Sequence, residues 1–204
     1  MAASARRSHC DFIGVASRRN YRAAIGSGRD LVLDLYGAAI AAATGRETIP
    51  QAHWEQVRVY LPNRQRAKVI ESGEFHRTDA VRADRIYPEE LARRRGKLVM
   101  TFRESMSREL EKAGCLLEAH AVWSMWPGYL EEPSGQRLMA FLDRHGLGMT
   151  VHHTSGHAFI PDLQKLVAAL APRCVVPIHT FGSDRFPELF HRTEPHPDGE
   201  WWEV

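Results

Sequence analysis

Residues His152–Thr180 read HHTSGHAFIPDLQKLVAALAPRCVVPIHT, and four of the chain's 11 histidines fall within them. The stretch opens at the end of an apolar run, GMTVHH, and closes on another, CVVPIH. Between them, Pro161 stands where a helix begins. Leu163, Leu166, Val167 and Leu170 then follow at i, i+3, i+4 and i+7, which predicts a helix burying one face. Strand, helix, strand with one crossover implies two parallel strands. Their carboxyl ends would share one rim of a sheet, where ligands of open α/β sheets bind. On that reading His153, Ser155, His157 and His179 converge on one small volume. Gly156 lets the backbone approach a ligand. The free amides of the following helix start favour an anion such as phosphate. A histidine at a strand end more often satisfies a nearby carbonyl. The set of four around a Ser-Gly pair favours function.

The rest of the chain has the same rhythm. LVLDLY (Leu31–Tyr36), VRVYLP (Val57–Pro62), KLVMTF (Lys97–Phe102) and LLEAHAVWS read as strands. GAAIAAAT, RQRAKVIES, YPEELARRRG, SMSRELEKAG and SGQRLMAFLDRHG read as helices. Pro88 and two glutamates mark the start of one, and Gly96 and Gly114 mark ends. Ser134 is the expected N-cap of the last. EWWEV is read as a final short strand. The expected fold class is α/β, with a mainly parallel sheet and flanking helices. Residues 1–20, small and Arg-rich, are expected to be poorly ordered or divergent.

Composition narrows the class further. The chain has 204 residues, 44% hydrophobic and 25% charged, as in an ordinary globular protein. A net charge of +2 permits a nucleic-acid partner without demanding one. Its three cysteines, Cys10, Cys115 and Cys174, are odd in number and widely spaced. That argues against a disulfide framework or a cysteine zinc site and suggests a reducing cytoplasm. No apolar run reaches the roughly 18 to 20 residues of a membrane helix.

The segment HTSGHAFIPDLQKLVAALAPRCVVPIHT resembles the C-terminal motif region of metallo-β-lactamase-fold hydrolases of the β-CASP group, to which ribonuclease J belongs. SGRDLVLDLYGAAI, LVMTFRESMSRELE and VWSMWPGYL resemble that group's insert. The resemblance implies a β-CASP-like domain over 21–147. It implies returning C-terminal strands and a helix of the metallo-β-lactamase fold over 148–204. It implies a catalytic role for His157 at the scissile phosphate, zinc ligation by His179, and phosphate contacts by His153, Ser155 and Gly156. Arg103 and Ser105, just after a strand, would line the same cleft, or else sit in a solvated loop. Asp34 would orient a loop at a strand end or be a buried, hydrogen-bonded carboxylate.

The group's His-x-His-x-Asp-His motif is absent from the sequence. The expectation is therefore a C-terminal portion only, inactive alone. It would act on RNA or another phosphodiester once joined by a missing N-terminal half, or it would form a homo-oligomer. The alternative is a metal-free phosphate or nucleic-acid binding module.

Overall fold

The computed structural model describes residues 10–13, 18–152, 158–178, 180–197 and 199–203. The chain divides into two compact units, Met1–Thr154 and Ser155–Val204. The first is an α/β unit built on a six-stranded sheet. Its strands are β1 (Cys10–Ile13), β2 (Asp30–Asp34), β3 (Val57–Tyr60), β4 (Leu98–Thr101), β5 (Ala119–Trp123) and β6 (Gly148–Val151). Their order is β3-β2-β4-β1-β5-β6, and every pairing is parallel.

An all-parallel sheet needs cover on both faces, so its central strands read as unbroken apolar runs. Strand β2 is the clearest case, with all five residues buried. Side chains alternate between two cores. Leu31, Leu33, Val57, Val59 and Val99 point into one, and Val32, Tyr60, Leu98 and Met100 into the other. Helices α1 (Arg18–Gly26), α2 (Leu35–Ala43) and α3 (Asn63–Ser72) cover the first core through Ala24, Leu35, Ala38 and Val69. The short α4 (His76–Asp79) follows α3. Helices α5 (Pro88–Arg94), α6 (Ser107–Ala113) and α7 (Pro133–Arg144) cover the second through Leu91, Leu110, Leu138, Phe141 and Leu142. Full burial of each leucine, valine or phenylalanine side chain among these stabilises by about 1.5–3 kcal/mol.

The structure departs from the sequence reading in four places. Residues 1–20, expected to be poorly ordered or divergent, supply Cys10–Ile13 as β1, between β4 and β5, and Arg18–Asn20 as the start of α1. Helix α7 begins at Pro133 behind Glu132 rather than at Ser134. In the second unit, CVVPI makes one parallel bridge, Val175 to Thr193, in place of a strand. Val175 N–H donates to the Arg192 carbonyl at 2.9 Å, and Glu194 N–H to the Val175 carbonyl at 3.0 Å. Pro177 has no N–H with which to extend that ladder. Trp201–Glu203 are likewise not a strand. Trp202 instead stacks on His196 at 4.5 Å.

The second unit carries helices α8 (Ile160–Leu170) and α9 (Phe186–Leu189). Helix α8 has the expected boundaries, but none of its residues is buried, and Leu166 and Leu170 are exposed. The amphipathic pattern is present, but the face it was expected to bury is only partly covered, at Leu163 and Val167. Among the described residues, no helix is long and apolar enough to cross a membrane.

The packing of the first unit can be tested at two positions. Gly135 lies in the first turn of α7. A Cβ built there would stand 2.3 Å from the Tyr129 carbonyl oxygen and 2.4 Å from the Leu130 Cα. Alanine normally stabilises a helix interior by about 1 kcal/mol over glycine. Here overpacking against backbone costs about 1–3 kcal/mol, so Gly135→Ala lowers the melting temperature. Cys115 is buried in the second core, and burial pushes its thiol up to about 11 from 9.0. Below pH 9.0 folded and unfolded chains both hold this proton, and the contribution to stability is complete. As pH rises through about 11 the unfolded chain has lost the proton that the folded chain still holds, and stability falls. Urea midpoints measured across that range should decline, and less steeply for Cys115→Ala.

Candidate functional site at the carboxyl rim of the sheet

The chain leaves β2 towards β3 on one side and leaves β4 towards β5 on the other. The neighbouring carboxyl ends of β2 and β4 therefore form a switch point, the position where open parallel sheets place ligands. Asp34 ends β2 and Thr101 ends β4.

Asp34 is 1% exposed. A carboxylate so buried must be paired and hydrogen-bonded to stay charged. Its Oδ1 accepts from Gly37 N–H at 3.0 Å, which makes Asp34 the N-cap of α2. Its Oδ2 accepts from Gln65 Nε2 at 2.5 Å and from Arg103 Nε at 2.6 Å. The Asp34 N–H donates to Thr101 Oγ1 at 2.9 Å, and that hydroxyl donates to the Val32 carbonyl at 3.3 Å. Gln65 Oε1 accepts from Tyr36 N–H at 2.9 Å. The Arg103 side chain is 42% exposed, and its guanidinium lies 5.1 Å from the centre of the Tyr36 ring. One edge of Arg103 is thus fixed by Asp34 while much of the group faces solvent. Such an arrangement can present a fixed cation to an anionic ligand. Of the two readings of Asp34, both hold: it is a buried, bonded carboxylate, and it orients the residues beyond the strand.

Ser105 lies two residues on, in a single 3-10 turn, Glu104–Met106. It lines a hollow of about 430 Å³ with Ser107, Arg108, Arg137, Arg144, Glu104 and Glu111. Glu104 pairs with Arg137 at 3.2 Å, and Glu111 stands 3.5 Å from His145. Among the described residues no ion pair engages Arg108 or Arg144. Their charge is available to a ligand. At the end of β3, the Tyr60 hydroxyl donates to Glu109 at 3.0 Å, and Glu109 also accepts from Asn63 N–H at 3.0 Å. Burial, with the Glu109 charge second, pushes the Tyr60 phenol above its ordinary range, so it stays a donor.

The structure places Arg103 and Ser105 just beyond the carboxyl end of β4. His153, Ser155, Gly156, His157 and His179 lie outside the described residues. The strand–helix–strand argument that joined them is not met as written. The sheet of β1–β6 does not include Cys174–Ile178. Among the described residues no three His, Cys, Asp or Glu side chains stand together to hold a metal. Zinc therefore does not fit the described rim, whose chemistry is that of its guanidiniums and hydroxyls. Gln65, Arg137 and Arg144 lie outside the stretches the sequence singles out, and only folding brings Gln65 to the end of β2 and the two arginines to the hollow between α6 and α7.

Residues 149–186 match the family described as Zn-dependent metallo-hydrolase RNA specificity domain, RMMBL. The match supports the resemblance to metallo-β-lactamase and β-CASP-type hydrolases for that segment. No curated protein matches the chain.

The Asp34 network yields a sharp test. Asp34→Asn keeps a cap acceptor for α2 but turns an amide N–H₂ towards two donors, Gln65 Nε2 and Arg103 Nε. The variant should lose about 1.5–3 kcal/mol of stability, the range for hydrogen bonds to a charged group. Arg103→Ala leaves the buried Asp34 charge bonded to Gly37 and Gln65 but unpaired, and should cost at least as much in the same urea titration.

Proposed function

We propose that this chain is an RNA-directed module of the Zn-dependent metallo-hydrolase type, binding the phosphodiester backbone of its substrate at the arginine-lined rim. The observation that carries the reading is the RNA specificity match over 149–186, in a chain whose first unit holds Arg103 and Ser105 at the sheet rim and Arg108, Arg137 and Arg144 in the hollow between α6 and α7 beside it. Hydroxyls and guanidiniums around a hollow of about 430 Å³ suit phosphate oxygens. The finer likeness to ribonuclease J, with His157 at the scissile phosphate and His179 on zinc, rests on the resemblance of the His152–Thr180 segment. Without a His-x-His-x-Asp-His motif the chain does not hydrolyse RNA by itself. The domain division at 147/148 and a cytoplasmic setting belong to the same proposal. So does a partner for the exposed apolar faces of the second unit, either a separate N-terminal half or a second copy. A metal-free phosphate or nucleic-acid binding module is the second reading. Arg108 and Arg144, which need no metal to meet a phosphate, favour it.

Incubated with zinc or manganese and a labelled single-stranded RNA, the chain should bind the RNA and leave it intact. Robust metal-dependent cleavage overturns the inactive part of the proposal. Binding should weaken as salt rises. The slope of log K against log salt should fall by about 0.7 for each phosphate contact removed by Arg108→Glu or Arg144→Glu. Affinity unchanged in both variants removes the hollow from the site.

A further inference from the structure

Five aromatic side chains described in the first unit are exposed: Tyr36, Phe75, Tyr87, Trp126 and Tyr129. Single exposed apolar residues are ordinary. These are not scattered, for all but Phe75 stand at the carboxyl ends of strands. Tyr36 follows β2 by two residues. Tyr87 stands at the end of β3, because Arg85 bridges Val59 in parallel and Ile86 N–H donates to the Val59 carbonyl at 3.0 Å. Trp126 and Tyr129 follow β5 in the turn Pro127–Leu130 and its approach. The Tyr87 segment flanks β3 on its free edge, so from it to β5 the row crosses five spacings and spans about 24 Å at ~4.8 Å per strand spacing.

Each ring is held in place. Arg85 lies 5.1 Å over the Tyr87 ring, and Arg103 lies 5.1 Å over Tyr36. Trp126 meets Tyr129 edge-on, with centroids 5.5 Å apart. Its carbonyl accepts the Trp123 indole N–H at 3.3 Å. Its indole lies against the backbone at Gly128, where a Cβ would stand 2.2 Å from the ring. Yet each of the four side chains keeps between 45% and 55% of its surface open. Fixed aromatic faces interleaved with arginines are what unpaired bases need: a π-face for the base and a cation for the adjacent phosphate. A duplex hides its base faces and cannot use them.

We infer that Tyr36, Tyr87 and Trp126 form a stacking platform for the bases of a single-stranded nucleic acid, laid along the carboxyl rim of the sheet. The inference rests on the phosphodiester reading above and adds strandedness to it. The ligand is single-stranded, bound through its bases without a fixed sequence.

The test uses three labelled probes: a single-stranded RNA, an abasic strand with the same number of phosphates, and the RNA in duplex form. Binding is followed by anisotropy with the full chain and with Tyr36→Ala, Tyr87→Ala, Trp126→Ala and Trp126→Phe. The single strand should bind more tightly than the abasic strand and the duplex. Each alanine should weaken the single strand about 5- to 100-fold. The abasic strand should bind every variant equally, and Trp126→Phe should retain most of the affinity. Urea midpoints matching the parent chain establish that the variants are folded, and Trp126→Phe carries the test should Trp126→Ala not fold. Equal binding of abasic and intact strands, unchanged by the alanines, overturns the platform and leaves the phosphate site standing. Failure of every probe to bind overturns both.

Discussion

A single buried carboxylate organises the rim. Asp34 ends a strand buried along its whole length and has almost no access to water. Its oxygens are satisfied because four elements meet there: β2 supplies the residue, α2 the Gly37 amide, α3 the Gln65 amide, and the loop after β4 the guanidinium of Arg103. Breaking such a pair leaves an uncompensated charge in the interior, so the four elements are not independent. The direction of Arg103 is a consequence, and so is the seat of Tyr36, held through Gln65. The carboxylate that the fold must satisfy is also the one that aims the rim.

Much of this sheet is legible in sequence because burial on both faces demands unbroken apolar runs. LVLDLY, VRVYLP and KLVMTF leave no other place for their side chains, and the structure has strands at each. Helices α5 and α6 are equally plain, with Pro88 at the start of one and Gly114, at φ 66°, closing the other. Strand β1 escapes a sequence reading for a physical reason. Four residues among arginines and serines carry little periodicity, and their place between β4 and β5 is set by long-range pairing. CVVPI misleads in the opposite direction. Its apolar run says strand, but Pro177 cannot donate to a ladder, and the pairing stops at one bridge.

The site is legible only where it follows a strand end. Arg103 and Ser105 are reached by position, since any residue just past a carboxyl end faces the rim. Gln65, Arg108, Arg137 and Arg144 come from helices α3, α6 and α7, and nothing local in RQRAK or SGQRLM announces their destination. The aromatic row is hidden in the same way. Trp126 in SMWPGYL is placed only by the fold, where Gly128 lets the indole lie on the backbone.

Charge and stacking answer to different conditions, and the rim has both. Arginine–phosphate contacts release counterions, weaken with salt and accept any nucleic-acid backbone. Contacts to a base face depend on the base being unpaired and far less on salt. A surface with arginines alone would not tell a single strand from a duplex. One with aromatic rings alone would gain no long-range attraction for a polyanion. Arg103 over Tyr36 and Arg85 over Tyr87 combine the two at single positions, because a guanidinium lying on a ring still has N–H groups at its edge. Anchored by Asp34, Arg103 meets a ligand without first having to be ordered, which removes part of the entropic cost of binding. Recognition of the proposed kind needs no metal ligand, so it would not depend on the chemistry of the second unit.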